Sequence, residues 1–131
     1  MNVKEKITGI QHVGVPTSDM KKSVAFYQSI GFEVVHETIN PASGERVVFL
    51  QLGNLMMEVY ESSEATHRVG AIDHVALDVV DIEEVFRQIQ ADGHHLLDSE
   101  VRFLPFWEQG VKFFTILGPN EEKIEFCERI K

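Results

Sequence analysis

The chain has 131 residues, of which 44% are hydrophobic and 25% charged, and this composition and length fit a single folded domain, residues 1–131. Its formal net charge of −9 argues against a nucleic-acid or anionic-membrane partner, because both require clustered Lys and Arg. One cysteine, an N-terminus without a signal-peptide pattern and the lack of any apolar run near ~20 residues favour a cytoplasmic protein.

Hydrophobic periodicity divides the first half of the chain into five elements. Apolar residues recur at helical spacing after Thr17-Ser18-Asp19, which supplies side chains suited to a helix N-cap, and Gly31 is typical of the position after a helix C-terminus. Alternating apolar residues predict strands around this helix. The predicted order is β-α-β-β-β, with strands at 7–16, 32–37, 46–52 and 55–60 and the helix at 20–30.

The second half of the chain predicts the same order again. Residues 61–69 contain few apolar side chains and are predicted to be a linker between module one (7–60) and module two (70–128). An aromatic-rich stretch from Phe103 to Trp107 is predicted to be a loop, because Pro105 interrupts it. The predicted strands lie at 71–79, 94–97, 111–117 and 123–128, and the predicted helix lies at about 82–91.

The two modules are copies of one another. His74 follows His12 by 62 residues, and Gly93 follows Gly31 by the same number. The last predicted strands also match, since Glu125 follows Glu58 by 67 residues. Each copy therefore carries one His in its first strand and one Glu in its last strand.

These matched residues form a candidate metal site and, with it, a candidate active site. A single strand His or Glu is usually a solvated residue, but four at equivalent positions of two copies are hard to explain in that way. Two imidazoles and two carboxylates suit a borderline divalent ion such as Zn, Ni, Co, Mn or Fe(II). An octahedral ion would keep two positions for water or substrate oxygens. The predicted ligands are His12, Glu58, His74 and Glu125.

Several motifs resemble the vicinal oxygen chelate superfamily, which includes glyoxalases, bleomycin resistance proteins and dioxygenases. They are Ile10-Gln11-His12-Val13 with Pro16 to Asp19, Phe26-Tyr27 with Gly31-Phe32, Ile72-Asp73-His74-Val75, and 118–126. The resemblance spans about 7–128. It implies an α+β fold of two tandem β-α-β-β-β modules, whose sheets curl around one divalent metal ion per site, commonly within a homodimer.

Within this superfamily the ligand set most resembles glyoxalase I of the bacterial type (lactoylglutathione lyase), which shows His, Glu, His and Glu. The resemblance implies a lyase that converts the hemithioacetal of a 2-oxoaldehyde and a thiol into a 2-hydroxyacyl thioester, through a metal-stabilised enediolate, in methylglyoxal detoxification. It implies nickel or zinc ahead of cobalt, manganese or iron. Glu125 is the better candidate for the catalytic base, and Glu58 is the alternative for the other stereochemistry.

Three other functions remain open on the sequence. Methylmalonyl-CoA epimerases resemble this chain but commonly carry Gln at the Glu58 position and a further carboxylate near Pro41 to Gly44, where this chain has Glu45 close by. Antibiotic-binding relatives generally lose the His and Glu set. Dioxygenases of the superfamily usually have three protein ligands, so Glu58 argues against that activity.

The substrate is expected to be a small molecule, a glutathione conjugate or another thiol conjugate. The available basic residues are expected to be solvated rather than ligand-binding; they are Arg46, Arg68, Arg102 and Lys112.

The other noticeable side chains receive plainer interpretations. Phe103, Phe106 and Trp107 are expected to form a lid, a core contact or a dimer contact, and Cys127 to be a buried inert thiol. His36, His67, His94 and His95 have no His counterpart in the repeat and are expected at the surface.

Overall fold

The computed structural model describes residues 3–131; Met1 and Asn2, which begin the segment without a signal-peptide pattern, lie outside the described residues. The chain forms two compact units, with the boundary between Ala65 and Thr66. Each unit contains one α-helix and one mixed β-sheet, so the predicted α+β class with tandem modules is confirmed. Neither α-helix in the described part of the chain is long and apolar enough to cross a membrane.

The first unit follows the predicted element order after a short 3-10 helix, Val3–Lys6. Its elements are β1 (Val13–Thr17), α1 (Met20–Ser29), β2 (Glu33–Ile39), β3 (Arg46–Leu52) and β4 (Leu55–Glu61). The strand order in the sheet is β1-β4-β3-β2. β1 and β4 are parallel, and the other neighbouring strands are antiparallel. The first and last strands of the unit are therefore neighbours.

The second unit repeats this arrangement with one additional short strand. Its elements are β5 (His74–Asp78), α2 (Ile82–Ala91), β6 (His95–Leu96), β7 (Arg102–Leu104), β8 (Val111–Leu117) and β9 (Lys123–Arg129). The strand order is β5-β9-β8-β6, and β7 also pairs with β8. β5 and β9 are parallel, as β1 and β4 are in the first unit.

The first predicted strand was too long at its N-terminal end. The pairing of β1 with β4 begins at Val13, opposite Met57. Ile7 and Ile10 are 65% and 73% exposed and do not belong to the strand. Alternation of apolar residues predicted a strand over 7–16, but a strand also requires a partner, and within the described residues none pairs with that part of the segment.

The aromatic stretch also differs from its prediction as a loop. Residues Arg102–Leu104 form β7, which pairs with β8 and ends directly before Pro105. Pro105 lacks a backbone N–H and therefore ends the strand rather than preventing it. The remaining aromatic residues, Phe106 and Trp107, are 54% and 67% exposed.

Each helix covers one face of its sheet. In the first unit Leu50, Met57 and Val59 are buried on the side of α1, together with Tyr27 of the helix itself. In the second unit the residues buried on the side of α2 are Phe114, Ile116, Ile124 and Phe126. Because strand side chains alternate, the intervening residues lie on the opposite face. We call this the open face; it carries Phe49 and Glu58 in the first unit and Thr115 and Glu125 in the second.

The two helices begin with different caps. Asp19 precedes α1, and its carboxylate accepts a hydrogen bond from the Lys22 N–H at 3.1 Å, as the sequence predicted. Asp81 precedes α2 with φ at 54° and makes no side-chain cap. Glu128 of β9 takes over this function, since its carboxylate oxygens accept from the N–H groups of Asp81 at 3.2 Å and Ile82 at 3.0 Å. The last strand thereby anchors the start of α2.

Replacing Glu128 with Ala should lower the free energy of unfolding by about 1–2 kcal/mol, because two N–H groups at the start of α2 lose a charged acceptor. Glu128→Gln keeps one acceptor oxygen and should lose less. Urea unfolding followed by circular dichroism measures both changes, with Glu100→Ala at an exposed position as the control. Equal midpoints for Glu128→Ala and the control would contradict this assignment of the cap.

Candidate metal centre

The first predicted ligand pair comes together where β1 begins beside the middle of β4. Gly14 lies opposite Glu58 in the parallel register, and His12 precedes Gly14 by two residues. The Nε2 atom of His12 lies 3.6 Å from Oε1 of Glu58. Both side chains are about one-third exposed. Parallel pairing of the first and last strands therefore brings together two residues that are 46 positions apart in the chain.

The second predicted pair has the same geometry. Ala76 lies opposite Glu125, and His74 precedes Ala76 by two residues. The Nε2 atom of His74 lies 3.4 Å from Oε2 of Glu125. The side chain of Glu125 is 19% exposed, compared with 28% for Glu58. Each unit thus places one imidazole nitrogen beside one carboxylate oxygen.

The spacing within each pair fits two ligands of one metal ion. Nitrogen and carboxylate ligands lie about 2.1 Å from ions such as zinc, so two adjacent ligand atoms lie about 3.0–3.4 Å apart, depending on the angle at the ion. The observed separations of 3.6 and 3.4 Å are close to this range. The donors are also those preferred by borderline divalent ions. Both pairs therefore fit the predicted chemistry.

The residue before each His orients its ring. Nδ1 of His74 lies 2.9 Å from Oδ2 of Asp73, and Nδ1 of His12 contacts Oε1 of Gln11. An Nδ1–H donated to these oxygens leaves the Nε2 lone pair directed towards the paired Glu. The sequence analysis did not assign a role to Gln11 or Asp73. The sequence feature that could have revealed this role is their shared position, immediately before the matched His in each copy.

Asp73 is itself held by two positive or donating groups. The hydrogen bond from His74, followed by that from Lys123 at 3.1 Å, lowers the pKa of the Asp73 carboxyl. The carboxylate form is therefore favoured beside His74, where it would strengthen the imidazole as a ligand. Gln11 is a neutral amide and lacks this effect on His12.

Small residues lie opposite both carboxylates. A Cβ added at Gly14 would lie 3.5 Å from the ring of Tyr60 and 3.7 Å from Oε1 of Glu58, which are ordinary contact distances. Ala76 carries such a Cβ at the equivalent position of the second unit. A larger side chain at either position would fill the space beside the carboxylate.

Cys127 follows Glu125 by two residues on the same face of β9 and is half-buried. Burial raises the pKa of the Cys127 thiol, and the charge of Glu125 raises it further. The thiol form is therefore favoured, and a thiol is a poor nucleophile and a poor metal ligand. The thiol is half-buried rather than buried as expected, and its low reactivity stays a prediction.

The other predicted residues have surface positions. Phe103 is 56% exposed, like its neighbours Phe106 and Trp107, so the alternative of a core contact within the chain is wrong. The guanidinium of Arg129 lies 4.3 Å from the centre of the Trp107 ring. Three of the four basic residues considered for substrate binding pair with acidic side chains: Arg46 with Glu61, Arg102 with Asp98, and Lys112 with Glu83.

Within residues 3–131, the structure forms no group of three or more His, Cys, Asp or Glu side chains able to hold one ion. The structure therefore describes each His–Glu pair within its own unit. Binding of one ion by all four side chains stays a prediction.

The chain belongs to the Glyoxalase/Bleomycin resistance protein/Dioxygenase superfamily, whose sequence profile matches residues 9–126. A glyoxalase family protein from Enterococcus faecalis has a similar structure, with a TM-score of 0.80 and 26% identity over 94% of this chain and 99% of that chain. The fosfomycin resistance protein FosX from Listeria monocytogenes, crystallised with Mn(II) and sulfate, shares the fold, with a TM-score of 0.72 and 18% identity over 95% of this chain and 94% of that one.

Among curated sequences, the mitochondrial methylmalonyl-CoA epimerase of Bos taurus is 28% identical over 103 residues. The alignment covers 71% of this chain and 59% of that protein. The matched relatives therefore include an epimerase beside a glyoxalase family protein, and the choice of a reaction for this chain depends on the residues of the site.

Replacing Asp73 with Asn should weaken the affinity for Zn²⁺ or Ni²⁺ about tenfold, because His74 loses a charged acceptor behind its ring. Gln11→Ala should have a smaller effect, since it removes only a neutral partner of His12. Competition with a chromophoric chelator measures the affinity, and Asp92→Asn at the end of α2 is the matched control. An Asp73→Asn affinity equal to that of the control would contradict the orienting role.

Glu125→Gln should increase the reaction rate of Cys127 with a disulfide reagent such as DTNB at pH 8. Because Glu125 helps to raise the pKa of Cys127, removing its charge increases the thiolate fraction at a fixed pH. The metal-free protein is used, with Glu100→Gln as the control. A rate that is unchanged or lower in Glu125→Gln would show that the carboxylate does not act on the thiol.

Proposed function

We propose that this protein is a metal-dependent lyase of the glyoxalase I type, which converts a 2-oxoaldehyde–thiol hemithioacetal into a 2-hydroxyacyl thioester. The observation that carries the proposal is the pairing of an imidazole with a carboxylate at equivalent positions of both units, His12 with Glu58 and His74 with Glu125. Two carboxylates among four ligands are the feature that favours proton transfer over the other reactions of the superfamily.

The four side chains are proposed to bind one divalent ion together, which requires both pairs to contribute to the same site. Nickel or zinc is favoured, with cobalt, manganese or iron as alternatives, and FosX, which shares the fold, was crystallised with Mn(II). When bound, the ion would polarise two neighbouring oxygens of the substrate and stabilise the negative charge that develops there. A homodimer is proposed from the family resemblance.

Glu125 is the proposed base. Its carboxylate takes the proton from the substrate carbon that carries the hydroxyl and the sulfur, and returns it to the neighbouring carbonyl carbon. The electron pair of the broken C–H bond shifts into the bond between the two carbons, and the hydroxyl proton passes to the other oxygen. The product is an isomer of the hemithioacetal, so no oxidant or reductant is needed. Glu58 is the ligand on the other side and the candidate base for the opposite stereochemistry.

Partial burial supports the choice of Glu125. Its side chain is the less exposed of the two carboxylates, and a base shielded from water exchanges its proton with solvent less readily before returning it. The adjacent Cys127 favours its thiol form and therefore does not compete as a nucleophile. In the first unit the ring of Phe49, which contacts His12, provides an apolar surface on the open face beside Glu58.

Acyl-CoA epimerisation is the second candidate. The 28% identity to the bovine methylmalonyl-CoA epimerase favours it, and the chemistry is related, because an epimerase also removes a proton beside a carbonyl group. The carboxylate of Glu58 argues against it, since epimerases resembling this chain commonly carry Gln there. Binding of an antibiotic without turnover is a third alternative, and both intact His–Glu pairs argue against that function.

We expect purified protein to bind about one divalent ion per chain and, after loading with Ni²⁺ or Zn²⁺, to form thioester from methylglyoxal and glutathione. Glu125→Gln should weaken metal binding as well, and at saturating metal it should still reduce kcat at least about 100-fold, because it removes the proton acceptor. Glu58→Gln should weaken metal binding, since an amide is a poorer ligand than a carboxylate. Ultraviolet absorbance of the thioester and metal analysis provide the two readouts. Glu37→Gln, at an exposed position of β2, is the matched control.

The outcomes separate the candidates. Thioester formation with the expected losses supports the lyase. Bound metal without thioester, combined with loss of deuterium from C2-labelled methylmalonyl-CoA, would replace it with the epimerase. Protein that binds no metal would rule out both reactions.

A further inference from the structure

The second strand of the first unit contains a β-bulge that changes which face its residues occupy. Val34 lies opposite Leu50, and His36 lies opposite Phe49, the next residue of β3, so Val35 has no partner in the register. Leu50 is buried on the side of α1, whereas Phe49 lies on the open face. A regular strand would place Val34 and His36 on the same face. The bulge instead places them on opposite faces.

The ring of His36 consequently lies on the same face as the predicted metal ligands His12 and Glu58. Its centre is 5.9 Å from the centre of the Phe49 ring, and the His12 ring lies at the same distance of 5.9 Å from Phe49. Phe49 also lies opposite Glu58 in the neighbouring strand pair. Phe49 of β3 therefore contacts two imidazoles on the open face, His12 from the β1 side of the sheet and His36 from β2.

The position of His36 is within reach of a ligand bound at the first pair. His36, Phe49 and Glu58 are successive partners across three strands, so the Cα atoms of His36 and Glu58 are about 10 Å apart. The His36 side chain is exposed, and within residues 3–131 its ring nitrogens make no hydrogen bond or ion pair with another residue. A neutral or protonated imidazole has at least one N–H to donate.

At the position equivalent to His36, the second unit has a side chain with a structural role. Asp98 follows His36 by 62 residues, which is the offset of the repeat. Its carboxylate accepts a hydrogen bond from the Thr115 N–H at 2.9 Å and lies 3.5 Å from Arg102. The Asp98 side chain is only 11% exposed and is occupied by the protein itself. Among the described residues His36 has no such structural partner, so its polar atoms remain available to a ligand.

We propose that His36 contacts the polar tail of the substrate, while two neighbouring oxygens of the substrate bind the metal ion held by His12 and Glu58. This inference rests on the metal site proposed above. The geometry favours a substrate with a carboxylate or another hydrogen-bond acceptor about four atoms beyond the chelating oxygens, lying across the apolar ring of Phe49. His36 is thus a residue that determines specificity, and it is neither a metal ligand nor the base.

Two hydroxamates test this assignment with the Co(II)-loaded full-length protein. Acetohydroxamate presents only the two chelating oxygens, whereas succinohydroxamate adds a carboxylate at the end of a two-carbon extension. Visible spectra of bound Co(II) report the binding of each compound. His36→Phe retains a ring against Phe49 but removes the N–H groups, and His36→Gln retains a donor. Glu37→Gln, whose partner Val48 lies on the helix side of the sheet, is the matched control.

His36→Phe should weaken succinohydroxamate binding about fivefold to tenfold and leave acetohydroxamate binding unchanged. His36→Gln should recover part of this loss, and the control should equal the unsubstituted protein. Equal losses for both compounds, or no loss for either one, would overturn the contact while leaving the metal site intact. Protein that binds no Co(II) would overturn both the metal site and the role of His36.

Discussion

Parallel pairing of the first and last strands of each unit is the constraint on which the candidate site depends. A parallel pair requires a long connection, and here the connection is the rest of the unit, including its helix. The backbone register places Gly14 opposite Glu58 and Ala76 opposite Glu125, and each His lies two residues before the small partner. Strand hydrogen bonds therefore bring each His beside the Glu of its own pair, at distances of 3.6 and 3.4 Å.

The hydrophobic core maintains this register. Met57 and Val59 on either side of Glu58 are at most 1% exposed, and Ile124 and Phe126 on either side of Glu125 are at most 4% exposed. A slip by one residue would move these side chains to the open face and bury a carboxylate beneath a helix. Burying an unpaired charge is far less favourable than burying a methionine or a valine. Packing against the helices therefore determines which side chains lie on the open face.

The sequence predicted the regular parts of this structure well and the irregular parts poorly. The helix at 82–91 and the strands at 46–52 and 111–117 agree with α2, β3 and β8, because their periodicity is strong and their ends are marked by turn residues. The repeat was sufficient to find both His–Glu pairs. It could not show the start of β1, which depends on where β4 offers a partner, nor the strand β7 before Pro105. The sequence also did not predict the bulge at Val35, because nothing in residues 33–39 distinguishes a bulged strand from a regular one.

Both units contain a His–Glu pair, but the surroundings of the two pairs differ. His74 is backed by the carboxylate of Asp73, whereas His12 is backed by the amide of Gln11. Asp98 accepts a hydrogen bond from the backbone of Thr115, whereas within residues 3–131 the ring nitrogens of His36, on the face of the first pair, make no hydrogen bond. The two His–Glu pairs are therefore chemically unequal, because an ionised carboxylate behind His74 strengthens that imidazole as a ligand and the neutral amide behind His12 does not.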